Sequence, residues 1–172
     1  MSYRLSCVAL LVGLVASGCS NSSTAPTPVV QPKFTAALTQ ANEFPPISNA
    51  DGSGSGTATL TLKVTRDAAI NITAATADFV VTLAGFPAGT TLSGAHIHPG
   101  VSGTSGGVAI NTGLVSGEVV LAGGSGGFTK SGISVDPVLA QQIINTPAGF
   151  YFNLHTTLSP GGAIRGQLVL SN

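Results

Sequence analysis

The chain has no tryptophan, and charged side chains make up only 7% of its 172 residues, so its shortages bound its chemistry first. Six basic residues balance six acidic ones, and they form no cluster able to neutralise phosphates. Nucleic acid is therefore not an expected partner. The only cysteines, Cys7 and Cys19, both lie near the N-terminus. With one expected to leave in a signal peptide and the other committed to lipid, the fold must rest on packing without disulfides. The apolar stretch Leu5–Val15 is shorter than the roughly 20 residues a membrane-spanning helix needs. Gly103-Thr-Ser105-Gly-Gly107 and Gly123-Gly-Ser125-Gly-Gly127 fit G-x-S-x-G but lack the strand-to-helix setting of a nucleophile elbow. Gly52–Gly56 lacks the Gly-Lys-Ser/Thr ending of a phosphate loop.

What is present begins with Leu14-Val-Ala-Ser-Gly-Cys19, which follows basic Arg4 and the apolar run. A positive start, an apolar middle and small residues at a cleavage point form a secretory signal, and the cysteine just beyond them makes it a bacterial lipoprotein signal. Residues 1–18 are accordingly expected to be signal peptide. Residues 19–32, with Pro26, Pro28 and Pro32, are expected to be a lipidated cysteine and flexible tether. Residues 33–172 are the expected folded domain. Each buried acyl methylene adds about 0.8 kcal/mol, so more than one chain on Cys19 gives a lasting anchor. Ser20 is not the aspartate that retains many lipoproteins at the inner membrane, so the expected location is the cell envelope, at the outer membrane of a Gram-negative host.

Within the domain, Phe34, Ala36 and Leu38, and then Ala58, Leu60, Leu62 and Val64, alternate with threonines and other small or polar residues. Period-two patterning predicts half-buried strands. Further strands are expected over 70–74, 78–83, 92–98, 117–121, 128–134, 150–155 and 163–170, separated by Gly/Ser-rich turns. The expected class is all-β, an antiparallel Greek-key sandwich or barrel, immunoglobulin-like or Cu/Zn superoxide-dismutase-like. One helix interrupts it near 136–145, where Asp136 suits the N-cap and Pro137 the first helical position.

Four segments in order, Ala41-Asn-Glu43-Phe-Pro-Pro46, Gly94-Ala-His-Ile-His98-Pro-Gly100, Tyr151-Phe-Asn-Leu-His155-Thr156 and Pro160-Gly-Gly-Ala-Ile-Arg165-Gly-Gln-Leu168, together resemble the CHRD domain. That domain is repeated in the chordin family of extracellular antagonists and stands alone in many bacterial envelope proteins. The resemblance covers about residues 34–170 and implies an all-β, immunoglobulin-like or barrel-like fold; it implies no activity. Ala163 stands where an acidic residue is more usual. A weaker likeness to Cu/Zn superoxide dismutase rests on the His-x-His pair and on a Gly-rich turn near an arginine. With three histidines in all and no disulfide, the chain lacks that enzyme's ligand set and its bridging imidazole, so catalysis by that design is not expected.

All three histidines lie in these segments. On a strand, residues two apart share a face, which groups His96 with His98 and His155 with Tyr151 and Asn153, opposite Phe150, Phe152 and Leu154. If the two strands are neighbours, His96, His98 and His155 form a candidate site for copper or zinc, with one coordination position left open. Glu43 or Asp78 is a candidate fourth ligand or orienting group, and Asn153 has an orienting or structural role. Arg165 is expected to fasten the first motif to the last strand through a carboxylate, preferably that of Glu43. Two readings of function follow. The leading one is a non-catalytic, lipid-anchored interaction module for a protein or glycan ligand; the alternative is a metal-binding envelope protein, with a redox role among its options.

Overall fold

Alternation in the sequence becomes alternation of burial along the long strands. The computed structural model describes residues 30–171, so the signal peptide, Cys19 and most of the expected tether lie outside the described residues. The strands are β1 (Lys33–Thr39), β2 (Ser55–Arg66), β3 (Ile72–Ala84), β4 (Thr90–Pro99), β5 (Ile110–Asn111), β6 (Val120–Leu121), β7 (Gly126–Val135), β8 (Phe150–Thr156), β9 (Ile164–Gln167) and β10 (Val169–Leu170). Every pairing is antiparallel, in the order β5-β4-β8-β9-β1-β2-β3-β7, with β10 added to β1 and β6 to β4. The result is a nearly closed, barrel-like sheet, as the sequence pattern predicts.

Its interior is filled by the inward residues of each strand: Phe34 and Leu38 from β1, Leu60 and Leu62 from β2, Phe79 and Val81 from β3, Leu92 and Ile97 from β4, Phe152 and Leu154 from β8. Phe79 and Phe152 meet inside the barrel with ring centroids 6.1 Å apart. Each such fully buried side chain contributes roughly 1.5–3 kcal/mol relative to exposure, which explains how a fold without disulfides holds. The α-helix of the described residues, α1 (Pro137–Asn145), buries Ala140 and Ile143 and packs against β3. Asp136 caps it, accepting from the Val138 and Leu139 amides at 2.8 and 3.1 Å.

Several expected boundaries shift for identifiable reasons. The two segments predicted at 70–74 and 78–83 are one strand, β3, because its residues pair with β2 almost without a break. Ile70 instead sits in the preceding turn at φ 70°. The strand predicted over 117–121 shrinks to the two residues of β6. Residues 163–170 divide into β9 and β10, because the chain leaves β8 at Leu168 and then pairs only with β1. At the start, Leu62 donates to the Pro32 carbonyl and Val64 to the Gln31 side chain, at 2.9 and 2.8 Å, so these last residues of the expected tether extend the β1–β2 ladder.

An irregularity between Leu92 and Gly94 sets the phase of β4. Beyond it Ala95 and Ile97 face the core, and Gly94, His96 and His98 take the opposite face. The change of phase lets the strand fill the core at both ends while one stretch presents two imidazoles outward.

Candidate metal centre

β4 and β8 are hydrogen-bonded neighbours, with Gly94 opposite His155, His96 opposite Asn153 and His98 opposite Tyr151. The imidazoles therefore lie diagonally across the pair, on the face away from Phe150, Phe152 and Leu154. Ring centroids are 4.9 Å apart for His96–His155, 5.6 Å for His96–His98 and 6.2 Å for His98–His155. One nitrogen from each ring lies within 4.8 Å of the others. A shared ion at 2.0–2.1 Å holds nitrogens no more than about 4.2 Å apart, so closing on it needs only small ring movements.

Backbone carbonyls fix two of the rings. His98 Nδ1 lies 3.0 Å from the Gly106 oxygen and 3.1 Å from that of Gly107, and His155 Nδ1 lies 3.0 Å from the Pro160 oxygen. A carbonyl only accepts, so both Nδ1 atoms carry the proton and both Nε2 atoms present a lone pair. Those two Nε2 atoms are buried without a hydrogen-bond partner, as is Nδ1 of His96. A carbonyl behind a ligating histidine is the usual device for fixing its tautomer and ring orientation. Desolvation, reinforced by the neighbouring imidazoles, pushes His96 down to about 4, and burial also lowers His155. His96 and His155 thus favour the neutral form that a metal requires.

Three features the sequence reading left out complete the setting. Gly94 supplies space: a Cβ there would lie 3.2 Å from Cε1 of His96. Tyr151 stacks on His98 at 5.1 Å and 10° between planes, and its hydroxyl accepts from the Gly106 amide at 3.2 Å. The loop that carries Gly106 and Gly107 is held close to the end of β4; a Cβ at Gly106 would fall 1.9 Å from the Pro99 oxygen, so no side chain fits. The glycine within Gly94-Ala-His96 and the placing of Tyr151 beside His155 were visible signals. The loop carbonyls had none, since any residue supplies one.

The carboxylate expectations need correction. Asp78 is not near the histidines; it pairs with Lys63 and accepts from the Gly132 amide on the outer face of β3. Glu43 is outside the donor cluster as well. It is also not an ion-pair partner of Arg165. Arg165 is 2% exposed and donates through Nε to the Asn42 oxygen and through Nη1 to the Thr104 oxygen at 2.9 Å, with its Cζ 4.5 Å from the Tyr151 ring centre. Asn42 returns a bond from Nδ2 to the Arg165 carbonyl at 3.1 Å. Arginine thus does fasten the first motif to the last long motif, but through carbonyls. Asn153 stands in register between His96 and Arg165, and its buried Oδ1 has no partner. Burial pushes Glu43 up to about 7, although the nearby Arg165 charge opposes the shift.

A small antiparallel β-barrel carrying three clustered imidazoles on its outer sheet face, two of them held by backbone carbonyls, is the class these features define. The family model of the CHRD domain matches residues 34–168, and the chain belongs to that family. No curated protein and no solved structure matches it.

Proposed function

We propose that this CHRD domain is a metal-binding module of the bacterial cell envelope, holding one zinc or copper ion through His96, His98 and His155. The observation that carries the reading is the pair of carbonyl-fixed tautomers, which leaves the Nε2 lone pairs of His98 and His155 buried and unpartnered beside His96. An unpartnered buried polar atom costs about 1–3 kcal/mol, and one such nitrogen on each of three clustered rings is explained by a shared ligand. Imidazole suits zinc and copper alike, and three protein ligands leave a position for water or another small ligand. The chain's own residues bind and orient: the carbonyls of Gly106, Gly107 and Pro160 set the tautomers, Tyr151 braces the His98 ring, and Arg165 secures the Thr104 end of the bracing loop. On this reading an ion takes the part of the ligand that the expected interaction module left unidentified.

The experiment is calorimetric titration of the metal-stripped protein with zinc(II) and copper(II), with metal analysis after dialysis. One ion per chain is expected, and His96→Ala, His98→Ala and His155→Ala should each abolish stoichiometric binding while leaving the circular dichroism spectrum unchanged. Binding that survives all three substitutions would remove the site. Lipid anchoring at Cys19 is part of the same proposal, supported by the signal motif. Cys19→Ser should shift the protein out of the membrane fraction or leave it unprocessed, and unchanged fractionation and mobility would defeat the anchor.

A further inference from the structure

A pocket of about 260 Å³ opens between the Pro45-Pro46 segment and the turn 158–162, beside the metal centre but separate from its ligands. Pro45, Pro46, Ile47, Leu158 and Pro160 give it apolar walls, and Glu43 contributes its carboxyl. Glu43 is 6% exposed, and its Oε1 is buried with no hydrogen-bond partner. Its Oε2 is directed to Gly162, where a Cβ would lie 2.8 Å from it and 2.7 Å from Asn153 Nδ2. Leu158, on the rim, is 54% exposed, and no Lys or Arg belongs to the lining.

We propose that this pocket is a second binding site, one that takes a primary alkylammonium group, with Glu43 as the acceptor and the proline-lined walls holding the alkyl stem. The argument is complementarity. Methylenes suit walls of proline, isoleucine and leucine, and each one removed from water contributes favourably. No side chain donates to the lining acid, whose support within the chain is the Phe44 backbone and the Arg165 charge, and an ammonium offers three donors on a compact head. A planar guanidinium grips a carboxylate through both oxygens at once; here Oε1 is sealed from solvent, so a ligand meets one oxygen and a single-point donor fits better. Arg165 lowers the charge cost of Glu43 but forms neither a hydrogen bond nor a salt bridge with it; its Nε and Nη1 go to Asn42 and Thr104, and its buried Nη2 has no partner. The raised carboxyl of Glu43 agrees with a group whose burial is only partly offset by the Arg165 charge and the Phe44 backbone. The inference goes beyond the metal reading; the two sites share Pro160, whose carbonyl holds His155, but no ligand.

The test titrates the purified protein with n-butylammonium in the presence of EDTA, following backbone amide resonances. Saturable shifts are expected at Ile47, Gly161 and Gly162, with Glu43→Gln weakening affinity about tenfold or more, as loss of a charged hydrogen-bond acceptor does. Leu158→Trp, which crowds the rim and leaves Glu43 in place, should block the same shifts and covers the case in which the glutamine variant folds poorly. n-Butanol, with the same stem and no charge, should bind far more weakly. Nα-acetyl-lysine methylamide distinguishes the source: tighter binding than butylammonium assigns the pocket to a lysine side chain of a protein partner, and equal binding assigns it to free amines. Absence of saturable shifts, or equal binding of butanol and butylammonium, overturns the proposal. Because chelator is present throughout, failure here leaves the metal reading untouched, and failure of the metal titration leaves the pocket untouched.

Discussion

Glu43 and Arg165 show how differently two buried ionisable groups are settled. Arg165 has carbonyl acceptors from two separate segments, while the carboxyl of Glu43 is raised to about 7 by burial. An unfolded glutamate titrates near 4.3, so between that value and about 7 the folded protein binds more protons than the unfolded chain, and this group's contribution to stability falls as pH rises through the window. Glu43→Gln removes that slope. The variant should gain melting temperature relative to wild type as pH increases from about 4.5 to 7.5, measured in parallel thermal scans; a constant offset across that range would show that Glu43 ionises normally. For Arg165, hydrogen bonds from a charged donor contribute about 1.5–3 kcal/mol each, so Arg165→Ala should cost roughly 3 kcal/mol or more in urea unfolding, and Arg165→Lys should recover less than half. Full recovery by lysine would mean that charge alone matters. The sequence pointed to Arg165 as a fastener, yet not to its acceptors. Opposite charges suggest one another on the page, whereas the carbonyls of Asn42 and Thr104 carry no side-chain signature and come into reach only through the fold.

At the scale of elements, the long strands and the helix were legible because period-two burial and the Asp136-Pro137 start are local properties. Period two also set His96 and His98 together, opposite Ala95 and Ile97. The irregularity between Leu92 and Gly94 was not legible, since it depends on pairing with β8, which no local pattern encodes, and it lets Leu92 reach the core as well. The opposite face was expected to be a non-core face, and it is; it is also roofed by loops, so Tyr151 and Asn153 are buried although they point away from the barrel interior. Gly94 matters here because its strand position faces His155 and its missing side chain leaves room for the His96 ring. Gly94→Ala puts a methyl 3.2 Å from a movable ring edge, which displaces the ring by tenths of an ångström without blocking the strand pairing. The expected result is an unchanged fold with metal affinity lowered about tenfold or more, since outer contacts that orient ligands typically matter by 10–100-fold. Equal affinity would show that His96 has slack to spare.

The whole molecule ties these scales together through linkage. The three imidazoles come from strands far apart in sequence, so an ion bound to them is bound only by the folded chain, and at a hundred times its dissociation constant it stabilises by about 2.7 kcal/mol, or several degrees in melting temperature. Protons compete for the same nitrogens. In the metal-free protein His96 is held down at about 4 and His155 is also lowered, against 6.5 when unfolded, so the unfolded chain binds more protons below 6.5. Stability from these groups is therefore present above pH 6.5 and is lost as pH falls towards about 4. The depressed values also mean that protons displace the metal later than at exposed histidines. The zinc-dependent rise in melting temperature should therefore fade at lower pH than it does for a site of exposed imidazoles, and be gone by the time His96 is charged. Thermal scans with and without zinc across pH 4.5–7.5 decide the matter. A rise already gone at about pH 6 would mean that the rings titrate as solvent-exposed imidazoles do, and that the burial lowering His96 and His155 is not maintained in solution.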